Sequence, residues 1–124
     1  MRTFATGATR DTDDGKVDYE GCLSPAVLEC FAQYMLRHST QRDGKQRTMD
    51  NWQRGIPLDV YMKSLLRHTF TAWALHRYGG TMSEMKEALC AIQFNQQGYL
   101  HTLLTSHEPA SMVAAHGAHS EPTP

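Results

Sequence analysis

One stretch, from about Pro57 to Tyr78, constrains the fold of this chain more than any other. Leu58, Tyr61, Met62, Leu65, Leu66, Phe70, Trp73 and Leu75 recur at helical intervals but cover more than one side of the helix they imply. Such a helix is expected to be central and contacted from several directions, with Gly79-Gly80 as its stop. A chain of 124 residues has little else to cover it with. The expectation is an all-α bundle of about three main helices, completed by homo-oligomerisation into a dimer or tetramer with ligand sites near the subunit seams.

The other helices follow from caps and periodicity. Ser24-Pro25 supplies an N-cap and a first-turn proline, and Val27, Leu28, Phe31, Tyr34 and Met35 carry the pattern to about Arg37. Ser83 is expected to cap the third helix, which bears Glu84 and Glu87 in its first turns and runs to about Leu104. Met85, Leu89, Ile92, Leu100 and Leu103 read as its core face. Between the first two helices, 38–55 reads as a long polar loop turning at Asp43-Gly44. Residues 1–23 read as an irregular arm, 24–105 as the helical core, and the Pro-, Ala- and Ser-rich segment after Ser106, with His116 and His119, as a mobile tail.

Charge and composition remove several classes of function. Twelve Lys and Arg against thirteen Asp and Glu leave no excess to grip duplex nucleic acid across a broad basic face. No apolar run approaches the roughly 20 residues that span a bilayer, and Met1-Arg2-Thr3-Phe4 lacks a signal-peptide core, so the expected compartment is the cytosol. Cys22, Cys30 and Cys90 have neither disulfide-framework nor zinc spacing and read as buried thiols.

Four clusters carry possible chemistry. In the arm, Arg10 and Lys16 stand among Gly7, Gly15 and Gly21, a pattern that lets backbone and cations approach an anion, although Gly15-Lys16-Val17 is not a P-loop. Asn51-Trp52-Gln53-Arg54 offers an aromatic plane, an amide and a guanidinium, which suits a base and its phosphate or, equally, a plug at the entry to the next helix. On the second helix Lys63 and Arg67 are one turn apart, and His68 lies beside them as a hydrogen-bond donor or proton carrier. On the third, Glu84, Glu87 and Asn95 fall within an arc of roughly 80° bordering Ala88, Ala91 and Gly98. Two carboxylates one turn apart suit Mg²⁺, which completes its shell with water and phosphate oxygens. They equally suit the helix dipole.

The order TGATRDxxxGKxDY, LSPxVL, DNWQRGIP, YMKSLLRH and EALCAIQFNQQGYL, from about Arg2 to Leu104, resembles the phage dATP/dGTP diphosphohydrolase N-terminal domain family, first catalogued as a domain of unknown function. That family is similar to the all-α nucleoside triphosphate pyrophosphatases of the MazG kind. The resemblance implies Mg²⁺-dependent conversion of a purine (deoxy)nucleoside triphosphate to monophosphate and pyrophosphate, in the host cytoplasm. On that reading Glu84 and Glu87 ligate the metal and act in catalysis with His68. Arg10, Lys16, Tyr19, Asn51, Trp52, Arg54, Lys63, Arg67 and Asn95 bind the nucleotide. A MazG-like site has ExxE followed by ExxD; this chain has one ExxE followed by Asn95, so Asp18, Glu20, Asp59 or a carboxylate from another subunit would complete it. The incomplete acidic set motivates a second reading, a nucleotide sponge that sequesters a signalling nucleotide of host antiviral defence without cutting it. A third is a helical interaction module with no small-molecule site.

Overall fold

The computed structural model describes residues 1–106. Two two-residue strands, β1 (Arg2–Thr3) and β2 (Thr9–Arg10), pair antiparallel, followed by one helical turn, α1 (Tyr19–Cys22). Three long helices then make the body: α2 (Pro25–Arg37), α3 (Leu58–Tyr78) and α4 (Met82–Thr105). A single 3-10 turn, Asn51–Arg54, precedes α3. The protein is thus all-α with an N-terminal arm, and among the described residues no helix is long and apolar enough to cross a membrane. The expected tail after Ser106 lies outside the described residues.

The arm is more ordered than its sequence suggests, and every element in it is exposed. Gly7, at φ +91°, donates to the Phe4 carbonyl and closes the hairpin, while Asp18 caps α1 by accepting from the Gly21 amide at 2.9 Å. These are local bonds with no apolar period behind them, so no pattern of side chains announces them. Cys22 is exposed for the same reason, contrary to the expectation of three buried thiols.

Helix α2 begins as its sequence implies, with Ser24 Oγ accepting from the Val27 amide and Pro25 in the first turn. The following loop turns at Asp43-Gly44, where Gly44 has φ +84° and Asp43 accepts from the Lys45 amide. Helix α4 starts differently from expectation. Its cap is Thr81, not Ser83: Thr81 Oγ1 accepts from the Glu84 amide at 3.0 Å, and Glu84 Oε1 accepts from the Thr81 amide at 2.8 Å. This reciprocal box satisfies two amides that Ser83 would leave open.

The central helix is α4, and not α3 as expected, because α4 packs against both α2 and α3. Its buried residues are Ala88, Cys90, Ala91, Asn95 and Gly98, while the expected core residues Leu89 and Leu100 are exposed. Small side chains let helices approach closely, so the inward face of α4 is its least bulky one. Against it Phe31 and Tyr34 of α2 form the core with Cys90 and Ala91, flanked by Cys30, Met35 and Phe94. On the other flank Tyr61 of α3, only 1% exposed, lies over Gly98. A Cβ at Gly98 would overlap the Tyr61 ring. Gly98→Ala is therefore expected to destabilise the fold by about 1–3 kcal/mol through overpacking, despite alanine's helix propensity, as read by urea denaturation followed by circular dichroism.

Candidate functional site

Where α2, α3 and α4 meet they leave a cleft of about 290 Å³. Ala88 and Ala91 line it from α4, Thr71 and Leu75 from α3, and Tyr34 from α2. Around it stand four side chains with acid–base capacity, His38, His68, Glu84 and Glu87. Three of these, His68, Glu84 and Glu87, are the residues expected from the sequence to act in catalysis; the hairpin of α3 and α4 brings them to one space. His38 was not expected, because it ends α2 as its C-cap and belongs to no periodic pattern.

Glu87 organises the cleft. Its Oε1 accepts from Arg37 Nη2 at 3.0 Å, and its Oε2 pairs with His38 Nε2 at 2.5 Å. Partial burial pushes the Glu87 carboxyl up, but the bonds and positive charge of His38 and Arg37 outweigh it and hold the group below the usual carboxylate range. A charged carboxylate only accepts, so His38 carries its proton on Nε2. The His38 ring also packs on Tyr34, with centroids 4.4 Å apart. Burial, then the Glu87 charge, raises the Tyr34 phenol above its ordinary value and keeps it a donor. Glu84 is likewise lowered, by its hydrogen bonds from the Thr81 amide and hydroxyl.

A second cleft, of about 200 Å³, adjoins the first, and Tyr34 and His38 line both. It is walled by Asn51 and Trp52 from the 3-10 turn, by Ile56 and Phe94, and by Arg47 and Ser39 from the loop after α2. Trp52 stands edge-on to His101 at 4.9 Å and to Phe94 at 6.4 Å, which fixes its ring in the wall. Together the two clefts reach the range of small-ligand sites, ~300–1,000 Å³.

Other expected residues are not brought there. Arg10, Lys16 and Tyr19 are exposed on the arm and line neither cleft, and the same is true of Arg54 and Lys63. Arg67 donates to Ser64 Oγ at 2.8 Å and borders a groove on the outer side of α3. Asn95 is buried and spends an amide hydrogen on the Ala91 carbonyl of its own helix. Asp18, Glu20 and Asp59, considered as further metal ligands, line neither cleft, and among the described residues no three His, Cys, Asp or Glu side chains are placed to hold a metal ion. Cys30 and Cys90 approach to 3.8 Å between sulfurs under the core. Burial, with Cys30 beside it, pushes the Cys90 thiol up to about 11, so it stays protonated and unreactive at neutral pH.

The Glu87 bridge ties α2 to α4, and its carboxyl is lowered in the folded chain, so its contribution is full above the ordinary glutamate range and is lost as pH falls through the lowered value. Its side chain is 45% exposed, so screening limits the effect to about 1 kcal/mol. Between about pH 6 and about pH 3 the wild-type chain is expected to lose up to that much more stability than Glu87→Gln, read as the difference in urea midpoints. Set beside known proteins, the chain matches no family model, no curated protein and no solved structure.

Proposed function

We propose that the joined clefts bind a purine (deoxy)nucleoside triphosphate as its magnesium complex and hydrolyse it to monophosphate and pyrophosphate in the cytosol. The observation that carries this is the convergence of His68, Glu84 and Glu87 on one cleft that opens, past Tyr34 and His38, into the Asn51–Trp52 cleft. An aromatic wall with a neighbouring amide suits a base and its edge. The order of sequence motifs that resembles the phage diphosphohydrolase family supports the same reading.

Charge selects the form of the substrate. Two carboxylates at the cleft repel bare phosphates, whereas Mg²⁺ takes one or two carboxylates together with phosphate oxygens and water. Glu84 and Glu87 fit that donor set in kind, and with no third ligand among the described residues the ion comes with the nucleotide. When bound, it neutralises phosphate charge and polarises the phosphorus. The side chains of the chain do the rest. His68, on the α3 wall, accepts the proton of a water that adds to the α-phosphorus, the bond to the α–β bridging oxygen breaks, and pyrophosphate leaves. His38, held through Nε2 by Glu87, keeps its other ring nitrogen as an acceptor for a bound water or a sugar hydroxyl. Tyr34 adds a hydroxyl donor on the same side.

Incubation with magnesium and a panel of purine triphosphates, read by chromatography, is expected to yield monophosphate and pyrophosphate in equal amounts. Glu87→Gln should lower turnover at least about 100-fold while retaining binding. Release of single phosphate, or undiminished turnover in that variant, would overturn the mechanism. Trp52→Ala is expected to weaken nucleotide affinity by about tenfold or more, the loss of one stacked base, as read by calorimetry.

One observation favours a second reading, sequestration without cleavage. Both Glu87 oxygens and one Glu84 oxygen are already engaged by groups of the chain itself. Intact nucleotide recovered after heating a tight complex formed with magnesium would select it over hydrolysis.

A further inference from the structure

Among the described residues, nothing covers the outer face of α3. Leu66, Phe70, Trp73 and Tyr78 follow one another along it at steps of 4, 3 and 5 residues, and they are 60%, 68%, 54% and 82% exposed. Leu66, Phe70 and Tyr78 border a shallow groove of about 750 Å³, and Trp73 lines a smaller one beside it with Phe70 and Tyr78; among the described residues nothing covers either. Phe70 and Trp73 are in edge-to-face contact at 5.6 Å, which makes one continuous aromatic surface of the two rings. Arg77 lies over the Trp73 ring at 5.5 Å and Arg67, bonded to Ser64, lines the groove, so both cations already have partners of this chain within the strip.

We propose that this face is the interface of a homodimer in which a second copy lays its own α3 across it. Size and symmetry argue for that occupant. Three aromatic rings and a leucine at these exposures present on the order of 500 Å² per copy, so a two-fold pair buries about 1,000 Å², the lower bound for a specific interface. A two-fold axis would bring the same side of the same helix together from both copies, so that apolar side chains meet apolar side chains. The chain also needs the cover: only seven apolar residues are buried among the described residues, a thin core for a body of this size. Thr71 and Leu75 line both the groove and the cleft between α2, α3 and α4, so the second copy stands at the mouth of that cleft.

Sedimentation velocity of the full chain, without nucleotide, tests the interface apart from any reading of the cleft. Wild type is expected at twice the 14.0 kDa chain mass. Phe70→Asp and Trp73→Glu, each at a position exposed in the single chain, are expected to shift it to one chain mass with helical circular dichroism retained. Val27→Asp, on the equally exposed outer face of α2, is expected to leave the dimer intact. The proposal is overturned by a wild-type chain that stays single up to about 100 μM, by an assembly that neither α3 variant dissociates, or by dissociation in Val27→Asp as well.

Discussion

Close approach at α4 is the constraint on which the body of the fold depends. Ala88, Ala91 and Gly98 put little between the α4 backbone and its neighbours, so α2 can seat Phe31 and Tyr34 on one flank while α3 seats Tyr61 on the other. A bulkier helix in that position would separate α2 from α3. The same small side chains leave the space that becomes the cleft, since Ala88 and Ala91 line it. Packing and site are two results of one choice of residue size.

Glu87 connects that packing to chemistry. Partly buried beside Ala88, it takes Arg37 and His38 from the end of α2 and so holds the second helix in register with the fourth. The bond also sets the tautomer of His38 and places its ring on Tyr34. The same carboxylate lines the cleft that His68 lines from α3, so one side chain both ties α2 to α4 and faces the cavity.

Local signals in the sequence reported well on helix limits. Ser24-Pro25 marks the start of α2, Gly79 the end of α3, and the Asp43-Gly44 turn falls where its residue types require. Residue type alone does not fix the cap of α4, because Ser83 is as good a cap by type as Thr81 and only the reciprocal bond to Glu84 separates them. Among the residues that line the two clefts, His68, Glu84, Glu87, Asn51 and Trp52 stand out in the sequence because they lie on or next to strongly patterned helices. His38 and Arg47 were not, since each stands in a stretch without periodicity and gains meaning only from what the other elements bring to it. Arg10 and Lys16 have suitable chemistry on an arm that the described fold does not fold over the clefts.

By itself the sequence determined that this chain is helical, where its three long helices begin and end to within a residue or two, and which carboxylates share a face. Those properties follow from hydrogen bonds and periodicities that act within about four residues. Only the tertiary structure decided which helix lies in the middle, because hydropathy ranks leucine above alanine while close packing of three helices selects alanine and glycine. It also decided that Glu87 faces His38, 49 residues away along the chain, a pairing that no local rule could have assigned.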